Sequence, residues 1–246
     1  MPVAGIEDYL KLSPVMPVVT IEDASIAPDL ARAFVRGGIR VIEVTLRTPA
    51  ALRAIEAIAR AEPDIVVGAG TVLSTSDLHS AAAAGAAFAI SPGATPALLA
   101  AGSMATIPYL PAVATASELM SGLAAGYRCF KFFPAGAAGG IPMLKSFAGP
   151  FPDARFCPTG GITQETVRSY LELPNVLCAG GSWLSPSDAL AARLGANRGV
   201  GSEGSRLTGD SARRLVSGVG QARREVISRW WELRGAVACQ CGRRRA

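Results

Sequence analysis

The chain has 246 residues, of which 50% are hydrophobic and 17% are charged, so it can bury one large core and is expected to be globular. Its net charge of +5 is unevenly divided, because residues 1–192 contain 12 Lys and Arg against 15 Asp and Glu, whereas residues 193–246 contain 12 against 4. The mildly acidic body argues against a nucleic-acid groove, and the lack of an apolar leader or a membrane-length apolar run argues against a membrane protein, so we expect a cytoplasmic location.

One local plan repeats from residue 15 to residue 184: a short apolar strand, a turn and an alanine-rich helix. The predicted strands are Val15–Ile21, Val41–Arg47, Ile65–Val72, Phe88–Pro92, Thr106–Val113, Cys129–Pro134, Arg155–Gly160 and Val176–Gly180. The predicted helices are Pro28–Arg36, Pro49–Arg60, Ser76–Ala84, Pro96–Ala101, Ala116–Ala124, Ile141–Phe147 and Gln164–Leu171. This alternation is typical of βαβ units, and eight units predict one α/β domain, a (β/α)8 TIM barrel over residues 1–194. Thr48–Pro49 and Thr95–Pro96 each resemble a helix N-cap followed by an N1 proline.

The second predicted strand carries an unusual set of polar residues. Glu43, Thr45 and Arg47 alternate along it, so their side chains face the same way. In a TIM barrel the active groups stand at the C-terminal ends of the strands. We interpret Glu43 as a proton shuttle near a cation, and the alternative is a structural Glu43–Arg47 salt bridge.

The third and fourth predicted strands end in turns that offer hydroxyl groups. Thr71 follows Gly68 and Gly70, whose missing side chains allow close backbone approach. Ser91 precedes Pro92, which makes the turn rigid. Each signal is weak alone, because Gly and Pro are ordinary residues at strand ends.

The sixth predicted strand places Lys131 in the apolar run Cys129–Pro134, in a chain whose other lysines are Lys11 and Lys145. Desolvation penalises an ammonium, so a lysine among aromatic residues tends to become a neutral amine that can attack a carbonyl. We therefore interpret Lys131 as a Schiff-base nucleophile, with Phe133 on the same strand face. The alternative is a structural lysine whose stem lies on apolar surface while its head reaches water.

Paired glycines follow both of the last two predicted strands, in Thr159–Gly161 and in Gly180–Ser182. These two loops build the common phosphate site of TIM barrels. Glycines let backbone N–H groups converge on an anion. The pattern therefore predicts a phosphorylated substrate.

The ligand inventory predicts neither a metal nor an organic cofactor. His79 is the only histidine, and Cys129, Cys157 and Cys178 fall in apolar runs where buried thiols are expected. No nicotinamide fingerprint or P-loop is present. An amine plus a carboxylate without a metal is what carbon–carbon cleavage beside a ketone requires. A non-covalent phosphate-binding barrel enzyme, an epimerase or a thiamine phosphate synthase-like transferase, stays open as an alternative, and so does a non-catalytic anion-binding protein.

The repeated plan stops after Leu194. We predict a linker and a C-terminal helix over residues 195–225 and a partly disordered basic tail over residues 226–246. Trp230 and Trp231 lie in a stretch of helical periodicity. A basic tail can contact an anionic partner, but a solvated tail is the more common case.

Six motifs spread over roughly residues 10–192 form a specific combination. They are Glu43–Arg47, Gly68–Val72, Ile90–Gly93, Phe130–Pro134, Arg155–Gly161 and Gly180–Trp183. As a set they resemble the 2-keto-3-deoxy-6-phosphogluconate aldolases, which also act on 4-hydroxy-2-oxoglutarate. The resemblance implies a class I aldolase and a homotrimer, which cleaves the sugar acid to pyruvate and D-glyceraldehyde 3-phosphate in the Entner–Doudoroff pathway, and hydroxyoxoglutarate to pyruvate and glyoxylate.

The resemblance also implies roles for individual residues. Lys131 would form the Schiff base with the C2 carbonyl, and Glu43 would take and return protons. The other residues would bind substrate: Arg47, Thr71 and Pro92 the pyruvate carboxylate, Phe133 the pyruvyl part, Thr159 the C4 hydroxyl side, and Gly160, Gly161, Gly181 and Ser182 the phosphate. The chain departs from the family pattern at Ala112, because a glycine usually follows the proline that is Pro111 here.

Overall fold

The computed structural model describes residues 5–184, in which the apolar runs form strands and the alanine-rich segments form helices. The strands are β1 (Val15–Val19), β2 (Val41–Thr45), β3 (Val66–Gly70), β4 (Ala89–Ile90), β5 (Tyr109–Leu110), β6 (Ala112–Val113), β7 (Cys129–Phe132), β8 (Arg155–Pro158) and β9 (Ala179–Gly181). The helices are α1 (Ile6–Leu10), α2 (Ala27–Arg36), α3 (Ala51–Ala61), α4 (Thr75–Ala83), α5 (Pro96–Ser103), α6 (Ala116–Ala124), α7 (Gly140–Ala148) and α8 (Val167–Leu171). The sequence predicted each of these helices except α1.

The strands form a closed parallel barrel. Hydrogen bonds link them in two runs, β5-β4-β3-β2-β1-β9 and β6-β7-β8. β5 and β6 are the halves of one predicted strand, separated at Pro111, which has no N–H to donate to a ladder. The bridges Phe156↔Val176 and Thr159↔Gly180 connect β8 to β9. When β5 and β6 are counted as one, eight barrel strands, which we call staves, close on themselves. The predicted (β/α)8 TIM barrel is therefore confirmed.

Side chains alternate between the two faces of each strand, which produces two apolar cores. One core lies between strands and helices, where Phe132 packs edge to face on Phe156 at a centroid distance of 6.5 Å. The other fills the part of the barrel near the N-terminal ends of the strands, and we call it the lower interior. Its members are Met16, Val41, Phe88, Ile90, Leu110, Cys129, Cys157, Leu177 and Cys178, with Leu10 of α1 below them. The three cysteines are buried, as predicted.

The helix ends confirm one predicted cap and correct another. The side chain of Thr95 caps α5, as expected. The prediction for Thr48–Pro49 is wrong, because the N-cap of α3 is Ala50. The Thr48 hydroxyl instead donates to the Ile21 carbonyl at 2.6 Å. This hydrogen bond ties the loop after β2 to the residues just beyond β1 and turns the Thr48 side chain toward them. The Ala51 N–H at the start of α3 donates instead to the Thr48 carbonyl at 3.2 Å.

All eight staves and the helices between them fall within residues 5–184, so the barrel is described without the C-terminal part. The predicted linker and helix (195–225), the basic tail (226–246) and Trp230–Trp231 lie outside the described residues. Within residues 5–184, no helix combines the length and the apolarity that crossing a membrane requires.

Candidate active site

Lys131 lies inside the barrel, toward the C-terminal ends of the strands. Its neighbours on β7, Phe130 and Phe132, belong to the core between strands and helices, so Lys131 points inward. The residue is 4% exposed, and its Nζ donates a hydrogen bond to Glu43 Oε1 at 3.0 Å. The alternative interpretation, in which the amine reaches bulk water, is therefore wrong.

Glu43 extends from β2 across the barrel to meet this amine. The residue is 1% exposed. Its Oε1 accepts the hydrogen bond from Lys131, whereas its Oε2 is buried and has no hydrogen-bond partner among the described residues. Because the carboxylate pairs with Lys131, the alternative of a structural Glu43–Arg47 salt bridge is wrong. A buried amine in contact with a carboxylate that keeps one unpaired oxygen can exchange a proton with it.

Thr45 shares the inward face of β2 with Glu43, but its hydroxyl is used to join strands. It donates to the Val19 carbonyl at 3.1 Å and shares a hydrogen bond with the Thr20 hydroxyl at 2.9 Å. Thr45 is fully buried. It therefore fastens β2 to the end of β1 just beyond Glu43, a role that the sequence did not predict.

Arg47 and Thr71 contact each other at the ends of neighbouring staves. The Arg47 Nε donates to Thr71 Oγ1 at 3.1 Å. Thr71 has a φ of 60°, and among the described residues it is the non-glycine residue with a positive φ. This conformation costs a β-branched residue on the order of 1–3 kcal/mol, and such strain concentrates at functional sites. Two residues predicted to hold a carboxylate are thus together, and the conformation of one is imposed by its surroundings.

Pro92 follows a buried pair of hydroxyl groups at the end of β4. The Ser91 Oγ and the Tyr109 hydroxyl lie 2.5 Å apart. Burial raises the pKa of the Tyr109 phenol above its ordinary value. Beside it, the Tyr127 hydroxyl donates to the Leu99 carbonyl at 2.7 Å. These contacts hold the backbone just before Pro92 against β5.

Phe133, Thr159 and Gly160 lie on the β7–β8 side of the amine. The ring centroid of Phe133 is 5.2 Å from Lys131 Nζ. Gly160 faces this ring so closely that a Cβ atom on it would lie 3.1 Å from Phe133 Cε2. The Thr159 N–H donates to the Phe132 carbonyl at 2.9 Å, which places its side chain beside β7. An aromatic ring therefore borders the space next to Lys131, and the Thr159 hydroxyl lies on the neighbouring strand, where it donates to the Cys157 carbonyl at 3.4 Å.

The predicted anion-binding residues lie on the last two staves. Gly160 and Gly161, after β8, have left-handed φ values of 93° and 73°, which residues with a Cβ seldom adopt. Gly181 ends β9 against Trp183, so closely that a Cβ atom on it would lie 1.9 Å from the ring. Ser182 is exposed beside it. The two glycine-containing ends are neighbours, as the sequence predicted for strands seven and eight.

Two glycines that make room for the side chains of Glu43 and Thr159 were not predicted. A Cβ atom on Gly70 would lie 2.1 Å from Glu43 Oε1, and one on Gly180 would lie 2.2 Å from Thr159 Oγ1. The available signal was glycine at alternate positions, Gly68 and Gly70, which indicates a strand face without side chains. That signal does not say which side chain fills the space.

Comparison with known proteins gives a family match over most of the chain. The family model described as "Aldolase: KDPG and KHG aldolase" matches residues 6–195. The 2-dehydro-3-deoxy-phosphogluconate aldolase of Pseudoalteromonas atlantica is 54% identical over 186 residues, which cover 76% of this chain and 86% of that protein. The KHG/KDPG aldolase of Escherichia coli K12 is 53% identical over 186 residues, covering 76% of this chain and 87% of its own length.

Solved structures give the same result. The KDPG aldolase of Legionella pneumophila, captured with pyruvate as a covalent carbinolamine intermediate at low pH, is 45% identical with a TM-score of 0.79, covering 88% of this chain and 97% of its own. The 2-keto-3-deoxy-6-phosphogluconate aldolase of Zymomonas mobilis ZM4, solved with 3-phosphoglycerate, is 42% identical with a TM-score of 0.76, covering 88% of this chain and 94% of its own.

Proposed function

The chain belongs to the KDPG and KHG aldolase family, and from this premise we propose that it is a class I aldolase, a carbon–carbon lyase that cleaves 2-keto-3-deoxy-6-phosphogluconate to pyruvate and D-glyceraldehyde 3-phosphate. The observation that carries the proposal is the 3.0 Å contact between a buried amine and a buried carboxylate inside the barrel. The same chemistry would convert 4-hydroxy-2-oxoglutarate to pyruvate and glyoxylate. A non-covalent barrel enzyme is not favoured, because it leaves the buried amine without a chemical task.

The Lys131–Glu43 contact supports a complete route to the Schiff base. Lys131 passes a proton to Glu43, and the neutral amine attacks the C2 carbonyl to form a carbinolamine. Glu43 then returns a proton to the carbinolamine oxygen, which leaves as water, and an iminium remains. Each proton that Glu43 takes is given back before the carbon–carbon bond breaks.

The iminium makes the second half of the reaction possible. The C4 hydroxyl loses its proton to the carboxylate, and the C3–C4 bond breaks as its electron pair moves into the iminium to form an enamine. Glyceraldehyde 3-phosphate leaves with the new aldehyde at the former C4. Glu43 then gives C3 the proton that it took from the C4 hydroxyl, and attack of water at C2 releases pyruvate and restores the free amine.

The other predicted site residues have supporting positions in this scheme. Arg47, Thr71 and Pro92 would bind the pyruvate carboxylate, since a guanidinium and hydroxyls are suitable donors to it. Phe133 would pack against the pyruvyl group, and Thr159 would contact the C4 hydroxyl side. The phosphate would be bound by Gly160, Gly161, Gly181 and Ser182, a proposal supported by their position on the two staves that form phosphate sites in such barrels.

The wider context belongs to the same proposal. Family resemblance supports a homotrimer in the cytoplasm that acts in the Entner–Doudoroff pathway on a phosphorylated keto acid. Light scattering coupled to gel filtration would measure the assembly directly, and a monomer at working concentration would contradict the trimer.

The covalent step is tested by trapping. Incubation of the whole protein with pyruvate and borohydride should add one reduced pyruvyl group on Lys131, located by peptide mass spectrometry. The matched control is Lys145→Met, which removes an exposed lysine on α7 and should label normally, whereas Lys131→Met should not label. Labelling at another residue, or none, would contradict the mechanism.

The proton role of Glu43 is tested separately. Glu43→Gln keeps the size of the side chain but cannot accept a proton, so it should reduce turnover by about 10²–10⁴-fold, measured by coupled pyruvate release. The amount of pyruvate finally trapped should fall much less, because Glu43 takes and returns one proton on the way to the iminium and so changes the rate of that step more than its yield. Equal losses in both measurements would argue that the carboxylate acts only as a structural partner of Lys131.

A further inference from the structure

We propose that Gly70 positions the Glu43 carboxylate for proton exchange with Lys131, an inference that rests on the aldolase function proposed above. Gly70 ends β3 and pairs in register with Thr45 on β2. A Cβ atom on Gly70 would lie 2.1 Å from Glu43 Oε1, 2.6 Å from its Cγ and 2.7 Å from its Cδ. The Glu43 side chain therefore occupies the space in which any other side chain at position 70 would begin.

Space, and not backbone conformation, requires glycine at this position. Gly70 is not among the glycines with positive φ, so its backbone is one that other residues can adopt. Glycine inside a strand is unfavourable, because it loses more chain entropy on folding and packs no side chain. The side chain of Glu43 that lies over Gly70 accounts for its presence.

The carboxylate has little freedom to move away from an added methyl group. Glu43 is 1% exposed, and its Oε1 is held by Lys131 at 3.0 Å. Lengthening this 2.1 Å separation to an ordinary carbon–oxygen contact needs a shift of more than about 1 Å. Direct proton transfer needs donor and acceptor within about 2.6–3.2 Å. The shift that accommodates alanine at position 70 is thus large enough to break the contact with Lys131.

Gly68 provides a matched control two residues earlier on the same strand. A Cβ atom on Gly68 would also come within 2.1 Å of a neighbouring atom, but that atom is Cε2 of Phe88 in the lower interior. The steric conflict at the two glycines is therefore of similar size. One conflict involves an apolar ring and the other a carboxylate that is proposed to carry protons.

The test is a double-mutant cycle between Gly70→Ala and Glu43→Ala in the full-length protein. Alone, Gly70→Ala should lower kcat for aldol cleavage by about 100-fold or more, with a smaller change in KM, and should lower Tm. In the Glu43→Ala background the methyl group has room, so adding Gly70→Ala should change the residual kcat by less than about twofold and leave Tm unchanged.

The pH dependence separates positioning from general destabilisation. Gly70→Ala should lose the limb of the kcat–pH profile that disappears in Glu43→Gln. Gly68→Ala should lower Tm but keep that limb and a kcat close to that of the wild type, because its conflict is with Phe88.

Other results of these experiments would overturn or support the role proposed for Gly70. A wild-type kcat in Gly70→Ala, or equal losses with and without the Glu43 side chain, would overturn the inference. If Gly70→Ala alone fails to fold, a folded Glu43→Ala/Gly70→Ala protein supports it and an unfolded one rejects it. Failure of the wild type to trap pyruvate on Lys131 would reject the proposed function instead, and the Tm cycle, which does not depend on catalysis, would still test the room that Gly70 provides.

Discussion

The inside of the barrel contains two regions that are built from the same strands and differ in chemistry. The lower interior is apolar, with Met16, Phe88, Ile90 and Leu110 fully buried. The next part of the barrel, toward the C-terminal ends of the strands, we call the upper interior. It is formed by Glu43, Thr45, Lys131 and Thr159, which are also buried but are polar. On β2, β7 and the end of β8 the change occurs within one step of the period-two alternation, from Val41 to Glu43, from Cys129 to Lys131 and from Cys157 to Thr159.

The two regions therefore affect stability in opposite ways. Burial of apolar side chains in the lower interior stabilises the fold at about 25 cal/mol per Å². The upper interior holds a desolvated ion pair, a carboxylate oxygen without a hydrogen-bond partner in residues 5–184, and a strained threonine at its rim, each of which opposes folding. The lower half of the barrel offsets the cost of the half in which we place the chemistry.

The largest expected effect comes from removal of the amine. Lys131→Met leaves the buried Glu43 carboxylate without its partner, which should cost about 3–5 kcal/mol in the free energy of unfolding and abolish aldol cleavage. Lys131→Met combined with Glu43→Leu replaces the pair with apolar groups and should recover most of that stability without any activity. Urea titration measures the free energy of unfolding of both proteins. If Lys131→Met alone were as stable as the wild type, an unpaired Glu43 carboxylate would not be costly and the prediction would fail.

A cavity in the lower interior should lower stability but leave catalysis nearly unchanged. Ala112 is in register with Lys131, and Leu110 lies two residues before Ala112 on the same stave. Leu110→Ala should cost about 2–5 kcal/mol in unfolding free energy, while kcat of the folded fraction stays within about threefold, because no polar group is disturbed. A kcat that falls in proportion to stability would mean that the two regions are not separable.

Thr71 allows strain to be separated from its hydroxyl group. Thr71→Gly and Thr71→Ala both remove the hydroxyl that accepts from Arg47, so both should weaken pyruvate capture. Only glycine relieves the left-handed φ of 60°, and it should be more stable than the alanine variant by about 1 kcal/mol. Thermal unfolding would measure the difference in stability. Equal stability of the two variants would mean that the backbone of residue 71 is not strained.

The smallest expected effect lies at the rim, where Glu118 completes the capping box of α6. Partial burial favours its neutral form, but hydrogen bonds from the Ala114 and Thr115 N–H groups, with the Thr115 hydroxyl, outweigh this and lower its pKa. A lowered pKa means that this stabilisation is present above the ordinary glutamate range and is lost as pH falls through the lowered pKa.

Glu118→Gln should therefore cost about 0.5–1 kcal/mol at neutral pH and progressively less in acid, with kcat unchanged. The matched control is Glu172→Gln, which breaks an exposed pair with Arg168 and should cost less. Unfolding free energies measured from pH 7 to pH 3 test the sign. A difference from the wild type that grows as the pH falls would contradict it.

Much of this barrel could be predicted because its signals are local. Period-two alternation along β7 and β2 is enough to turn Lys131 and Glu43 inward. The neighbouring glycine-containing ends of β8 and β9 follow from chain order, since consecutive parallel strands are usually adjacent. The individual roles of the substrate-binding residues stay predictions.

Other features depended on contacts between residues far apart in the chain. The sequence left Arg47 as a possible partner for Glu43, whereas the fold gives Arg47 to Thr71 and gives Glu43 to Lys131. Thr48 was predicted as a helix cap, but its hydroxyl bonds to the residues just beyond β1. In both cases one polar group had several possible partners, and sequence distance does not rank them.

The sequence by itself determined the order of the elements, the closed parallel barrel and the inward direction of its polar residues, because hydrophobic periodicity and turn chemistry act over a few residues. Only the tertiary structure decided that the Lys131 amine lies 3.0 Å from the Glu43 carboxylate, that the Thr71 backbone has a left-handed conformation and that Gly70 makes room for Glu43. Barrel closure brings residues 88 positions apart into contact, and the packing at that contact depends on volumes that no local pattern encodes.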